Sequence, residues 1–230
     1  MPPHLKGCGV RFRVNSYIHI MLKDMVIEAK VSLMDKESML KILKSENFSD
    51  KIIRAFHNVR REDFVPDEMK KYAYANDALP IGHQQTISQP STIAFMLKLL
   101  ELEDSQRILE VGSGSGYVLA LMARILGNSE IYGIERIKEL AEKSRAILKG
   151  FINIQIINAD GSKGLKEKAP FDRILVSAEC SELPKALIEQ LEQGGILVMP
   201  LGNSIIKLRK NKKLEIEEYP GFVFVPLIKD

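Results

Sequence analysis

The sequence predicts an α/β protein, an open, doubly wound sheet that is mostly parallel with an antiparallel C-terminal part, preceded by a small helical subdomain. Three observations carry that expectation. In the second half of the chain, apolar runs of strand length alternate with amphipathic helical stretches, the pattern of a parallel sheet with helical crossovers. The first of these runs, Arg107-Ile108-Leu109-Glu110-Val111, enters glycines at alternate positions, Gly112, Gly114 and Gly116, and then the helical pattern Leu119-Ala120-Leu121-Met122-Ala123. Near the C-terminus two β runs, Ile205 to Arg209 and Leu214 to Tyr219, flank the turn Lys210-Asn211-Lys212 and predict antiparallel pairing.

Composition narrows the class. The 230 residues fit one compact α/β domain with an elaboration and can build a full core. With 33 basic and 30 acidic residues, the net charge of +3 is spread as a solvated surface and selects no nucleic-acid partner. Cys8 and Cys180 have no metal-ligand spacing, the four histidines are scattered, and neither a metal site nor a disulfide framework is expected. No apolar run approaches the roughly 18 residues of a membrane span, and the N-terminus lacks the apolar core of a signal peptide. A soluble, cytoplasmic protein with no membrane partner is the expectation.

In chain order, residues 1–33 are an extension of unclear role. Val10-Arg11-Phe12-Arg13-Val14 alternates like an edge strand and Tyr17 to Leu22 is apolar, which suits an oligomer contact or a loose attachment. Residues 34–104 form the helical subdomain and a polar loop. A helix from Asp35 places Met39, Leu40, Ile42 and Leu43 on one face, and a second from Ser49 places Ile52, Ile53, Phe56 and Val59 likewise. His57 in the second helix reads as surface or filler. Pro66 starts a short helix ending at Tyr72 to Ala75. The polar segment Leu79 to Pro90 feeds a helix of Ile93, Met96, Leu97 and Leu100, with Ser88 and Gln89 near its capping positions. Ser88 is therefore either an N-cap or, beside Gln85 and Thr86 at a helix N-terminus, part of a carboxylate binder.

Residues 105–230 form the α/β core. After the glycine turn come strands Ile131 to Glu135, Ile154 to Asn158 and Phe171 to Ala178, a helix Leu183 to Leu191, and strand Ile196 to Pro200 after Gly194-Gly195. The two β runs follow, and Phe222 to Leu227 is expected to close the chain as a last strand. Glu135 ends its strand about twenty residues beyond the turn, where such a fold places a carboxylate over ribose hydroxyls; otherwise it is a plain surface acid. Asp160, before Gly161, adds a second acid at the same sheet edge.

The glycine turn suits a ligand that touches the main chain, since glycine adopts backbone angles a Cβ resists and the following helix leaves its first N–H groups free. A dinucleotide fingerprint would read Gly-x-Gly-x-x-Gly, whereas Gly112-x-Gly114-x-Gly116 follows an acid, Glu110. Acids at the strand ends favour a cationic, phosphate-free ligand. Leu109 to Gly116 resembles the first motif of the class I methyltransferases, which implies a Rossmann-like methyltransferase sheet and S-adenosyl-L-methionine as cofactor, with no metal. By that resemblance Gly112 to Gly116 cradle its amino-acid part, Glu135 its ribose and Asp160 its adenine amino group.

Several further motifs stand in one order: Phe64-Val65-Pro66, Leu79-Pro80-Ile81-Gly82, Gln85-Thr86-Ile87-Ser88-x-Pro90, Asp160-Gly161, Gly194-Gly195 and Phe224-Val225-Pro226-Leu227. Together, over roughly Asp35 to Leu227, they resemble the protein-L-isoaspartate (D-aspartate) O-methyltransferase family. Gln84 stands where that family has the second glycine of its Gly-x-Gly, and Glu179 and Cys180 stand where it has small residues. The resemblance implies methyl transfer to the α-carboxylate of isoaspartyl residues in damaged proteins and peptides, the ester then closing to a succinimide. It implies Ser88 and Thr86 as catalytic residues. Cofactor contacts fall to Gln85, Glu110, Gly112, Ser113, Gly114, Ser115, Gly116, Glu135, Asp160 and Gly161, and substrate contacts to Ile81, Gly82, Ile87, Val176 and Ser177. The exit Ser177-Ala178-Glu179-Cys180 lacks the Asn/Asp-Pro-Pro-Tyr pattern of methyltransferases acting on amino nitrogens. A methyltransferase for a small molecule or RNA, and a binding protein that uses the fold only as a scaffold, are the alternatives.

Overall fold

The computed structural model describes residues 33–225 and residue 227. The expectations for residues 1–32, including an edge strand and an oligomer contact, lie outside the described residues. Helices α1 (Lys36–Ser45) and α2 (Asp50–Asn58) form where the apolar spacing predicts them. Asp35 caps α1, its carboxylate accepting the Ser38 N–H at 2.8 Å, and Met39, Leu40 and Leu43 face inward. In α2 the buried stripe is Ile52, Ile53, Ala55 and Phe56, and His57 is exposed. Two 3-10 turns follow, Arg61–Phe64 and Asp67–Tyr72, so Pro66 starts a 3-10 segment rather than an α-helix.

The predicted polar loop is instead a two-stranded antiparallel hairpin, β1 (Leu79–Gly82) and β2 (Gln85–Ile87), that leads into α3 (Pro90–Leu99). Its turn has left-handed residues at Gly82 (φ +93), His83 (φ +52) and Gln84 (φ +60). Only one of the three is glycine. That is why the usual hairpin dipeptides are missing from the sequence.

The large sheet is built from β3 (Arg107–Val111), β4 (Glu130–Glu135), β5 (Ile154–Asn158), β6 (Phe171–Val176), β7 (Leu191–Leu201), β8 (Ser204–Lys210) and β9 (Leu214–Pro220). Their order is β5-β4-β3-β6-β7-β8-β9, parallel up to β7 and antiparallel for the last two pairs. Helices α4 (Tyr117–Ile125), α5 (Lys138–Ile147) and α6 (Lys185–Gln190) lie in the crossovers from β3 to β4, β4 to β5 and β6 to β7, while the β5-to-β6 crossover carries only 3-10 turns. Strand alternation divides the core. Ile108, Ile131, Leu175, Ile196 and Val198 pack toward α1 to α5, while Leu109, Ile134, Val176, Leu197 and Met199 pack with Leu187 of α6 on the other face.

Two expectations are corrected at the C-terminal half. Strand β7 starts at Leu191, ahead of Gly194-Gly195, because the left-handed Gly194 (φ +81) lets the strand absorb an irregularity against β6. Among the described residues, Phe222 to Leu227 forms no strand. Gly221 (φ +101) turns the chain off β9, and the tail then makes point contacts: Glu179 N–H to the Val225 carbonyl at 2.8 Å and Leu227 N–H to the Glu179 carbonyl at 2.7 Å. Its aromatic anchor is Phe222, stacked on Phe95 at 5.5 Å.

The order reverses at β3: the chain runs outward through β4 to β5 on one side of it, then crosses back from β5 to β6 on its other side. Ligands of open α/β sheets bind at the carboxyl ends of strands at such a switch point. The glycine turn stands there.

Candidate active site

At the switch point the main chain is folded into a tight loop by its own amides. The Gly112 and Ser113 N–H groups both donate to the Ile134 carbonyl, at 2.9 and 3.0 Å, and Gly116 N–H donates to the Ser113 carbonyl at 2.8 Å. Gly116 is left-handed (φ +86) at the N-cap of α4, and a Cβ there would stand 2.7 Å from Leu148 Cδ1 and 3.1 Å from Ser144 Cβ. Glycine is required by both angle and space. Gly114 (φ +52) lies beneath the hairpin, where a Cβ would meet Ile81 Cδ1 at 3.2 Å.

Glu135 is buried, not a plain surface acid. Its carboxylate accepts the Gly114 N–H at 2.8 Å through one oxygen and the Ile137 N–H at 2.8 Å through the other. Each oxygen keeps a lone pair for a further donor. The acid at the end of β4 thus braces the glycine turn.

Glu110, also buried, accepts a hydrogen bond from the Ser177 hydroxyl at 2.7 Å, while its Oε2 has no partner. Burial pushes its carboxyl up to about 8, the Glu135 charge works in the same direction, and the Ser177 bond opposes both. The Ser113 hydroxyl is likewise buried without a partner. Such groups are costly unless a ligand pairs with them. Asp160 is placed differently. Its two oxygens accept the Ser162 N–H at 2.9 Å and the Ser162 hydroxyl at 2.8 Å, capping the 3-10 turn Gly161–Lys163 beyond β5.

The hairpin covers the turn. Ile81, Thr86, Ile87 and Ser88 line one cavity together with Glu110, Gly112, Ser113, Gly114, Ser115 and Ser177. Of the predicted residues, Gly82, Gln85, Gly116, Glu135, Asp160, Gly161 and Val176 do not line that cavity. Gln85 turns back, its side-chain amide donating to the His83 carbonyl at 3.3 Å. Val176 packs on the opposite face of the sheet, and the period-two pleat brings Leu175 to the cavity in its place.

The two roles open to Ser88 are now separable. Gln89 is the N-cap of α3 and makes no side-chain cap, while the Ser91 N–H is accepted by Asn76 Oδ1 at 3.0 Å. The helix start is served from a distant residue. Ser88 is half-buried at the cavity, and its carbonyl accepts a hydrogen bond from Arg61 Nη2 at 2.9 Å. Sequence reasoning missed Arg61, Asn76, Tyr117, Ile93, Met96, Val118 and Leu175. Tyr117 could have been found from its place directly after the glycines; Arg61, inside the charged run Arg60-Arg61-Glu62-Asp63, has no such signal.

The chain matches the family described as Protein-L-isoaspartate(D-aspartate) O-methyltransferase over residues 34–230. It is 41% identical over 201 residues to the protein-L-isoaspartate O-methyltransferase of Methanothrix thermoacetophila, covering 85% of this chain and 95% of that protein. It is 42% identical over 201 residues to protein-L-isoaspartate O-methyltransferase 2 of Archaeoglobus fulgidus, covering 84% and 92%. The crystal structure of a putative protein-L-isoaspartate O-methyltransferase from Plasmodium falciparum, in complex with S-adenosyl-L-homocysteine, superimposes with a TM-score of 0.77 at 27% identity, covering 86% of this chain and all of that one.

Proposed function

The chain belongs to the protein-L-isoaspartate(D-aspartate) O-methyltransferase family, and on that premise we propose that it methylates the α-carboxylate of isoaspartyl residues in damaged proteins and peptides, using S-adenosyl-L-methionine. The observation that carries this reading is the convergence of Thr86 and Ser88, from the hairpin, with the Glu110 to Ser115 turn on a single cavity. The division of labour follows the chain, with residues 34–104 supplying the substrate side and 105–230 the cofactor side. Action on cytoplasmic proteins belongs to the same proposal. Among the described residues no helix is long and apolar enough to cross a membrane.

The residues present fit the cofactor. Glu110 Oε2 and the Ser113 hydroxyl are buried polar atoms with no partner beside the glycine turn, which suits the ammonium and carboxylate of an amino-acid moiety. Glu135 would accept ribose hydroxyls and Asp160 an adenine amino group. When bound, the cofactor supplies an activated methyl group on a sulfonium.

The other half of the task is positional. A carboxylate with a pKa near 4 is already ionised at neutral pH, so its oxygen needs no general base. Ser88 and Thr86 offer hydroxyls beside the start of α3, whose partial positive end favours an anion. Holding the oxygen in line, about 3 Å behind the methyl carbon, is the proximity effect that such a site exploits. Incubation with labelled S-adenosyl-L-methionine and paired peptides tests the proposal. Label is expected on the isoaspartyl peptide and hardly at all on its aspartyl twin. Equal labelling of the two, or label on RNA and on neither peptide, contradicts it.

A further inference from the structure

Arg61 is the bulkiest wholly buried side chain among the described residues, and it has no carboxylate within ion-pair distance there. Its Nη2 donates to the Asp77 carbonyl at 3.3 Å and to the Ser88 carbonyl at 2.9 Å. Asp77 lies just before β1 and Ser88 just after β2, so one nitrogen closes both stems of the hairpin. The guanidinium also sits 5.1 Å over the ring of Tyr117, the first residue of α4 beyond the glycine turn. Nε and Nη1 are buried without partners.

Such a group is a poor choice for stability alone. Taking a cation out of water without a counter-ion is costly, and apolar replacements for buried charges often leave stability unchanged or raise it. What the guanidinium supplies, and an apolar side chain would not, is a fixed tie between Ser88 and α4 together with an unneutralised positive charge beside the cavity.

We propose that Arg61 is a positioning residue for methyl transfer: it seats Ser88 and the hairpin stems against the start of α4, and its charge draws the substrate carboxylate toward them. The proposal deepens the function given above and rests on it. Arg61→Met keeps a stem of similar length and loses charge and donors; Arg61→Lys keeps charge and loses the fork.

The test measures, for both variants and the wild type, steady-state kinetics on an isoaspartyl peptide, calorimetric affinity for S-adenosyl-L-methionine and thermal melting. For Arg61→Met the KM for peptide is expected to rise about tenfold or more, the size of one lost charge-assisted interaction, with cofactor Kd within about threefold of wild type. Arg61→Lys is expected to recover part of the KM. A merely structural arginine would lower the melting temperature and leave KM per folded molecule alone. Wild-type KM and kcat in Arg61→Met overturn the proposal. If Arg61→Met does not fold, Arg61→Lys decides by the same comparison, a raised KM with unchanged cofactor Kd supporting the proposal and wild-type kinetics overturning it. Failure of both variants to fold makes Arg61 a structural residue and also overturns the proposal. A wild-type protein that leaves the isoaspartyl peptide unlabelled strikes the function itself; a wild type that labels it beside unaffected variants strikes Arg61 alone.

Discussion

The glycine turn after β3 and the hairpin before α3 meet across one cavity, yet they are held in shape by different means. The turn has glycine at each of its left-handed positions, Gly112, Gly114 and Gly116, and is braced by amides and by the carboxylate of the adjacent strand end. The hairpin bends through two left-handed residues that are not glycine, His83 and Gln84, and is tied down by Arg61 from an earlier segment, with Asn76 securing the helix it leads into. The glycine turn is thus specified by its own residues, and the hairpin by its surroundings. A turn built from local requirements tolerates little change at its glycines; a hairpin held from outside should show its failures in rate and peptide affinity before stability.

The largest expected break is Gly116→Ala. A left-handed alanine whose Cβ meets Leu148 and Ser144 should cost about 3 kcal/mol of stability, read as a lower denaturant midpoint at unchanged slope. Next, Glu135→Ala should weaken S-adenosyl-L-methionine binding by about 1.5–3 kcal/mol and leave peptide selectivity alone. It also strands the Gly114 and Ile137 N–H groups, so the melting temperature should fall as well. An unchanged calorimetric Kd would remove Glu135 from the cofactor site.

Glu110 makes the turn sensitive to pH. Its folded-state pKa is raised above the unfolded value, to about 8, so the native protein holds a proton that the unfolded chain releases. Stability of the cofactor-free protein is therefore full below the ordinary carboxylate range and falls as pH rises toward 8, by up to about 1.4 kcal/mol per pH unit. Glu110→Gln should flatten that slope in melts recorded from pH 5 to 8; an equal slope in both proteins would assign the dependence elsewhere.

On the hairpin side the expected losses are smaller. Ser88→Ala should lower single-turnover methyl transfer about tenfold, the rate equivalent of 1.36 kcal/mol, with cofactor affinity and melting temperature nearly unchanged, because Asn76 rather than Ser88 serves the helix start. A lower melting temperature with an unchanged rate would return Ser88 to a structural role. The smallest effect is a gain. Gln84→Gly relieves a left-handed glutamine (φ +60) and should stabilise the protein by about 0.5–1 kcal/mol, making the hairpin locally specified as the turn is.

Much of the molecule was legible in the chain. The strands of the parallel sheet, the glycine turn and helices α4 and α6 announce themselves because their periodicity and glycine spacing are local requirements, which any sequence forming them must meet, whereas α5 was not foreseen. Glu110, Gly112, Ser113 and Gly114, with Thr86 and Ser88 from the motif before α3, were named through the family resemblance, and they do line one cavity. The hairpin was not legible, since neither His83 nor Gln84 carries the turn chemistry that would mark it. Nor was the fate of the tail, where Gly221 decides against a last strand, or the choice of Leu175 over Val176 at the cavity, which depends on which face of β6 meets α3. Arg61 is the extreme case. Beside Arg60 and Glu62 it reads as solvated charge, and only the folded placement of Asp77, Ser88 and Tyr117 around it makes it a buried tie between two carbonyls. The strand-forming runs, the mostly parallel sheet they imply and the glycine turn could be read from the chain alone, because backbone geometry is a short-range property. Which strands lie side by side, where the switch point falls and which distant groups hold the hairpin came only with the folded chain, because burial, strand pairing and long-range hydrogen bonds exist only once separate segments have come together.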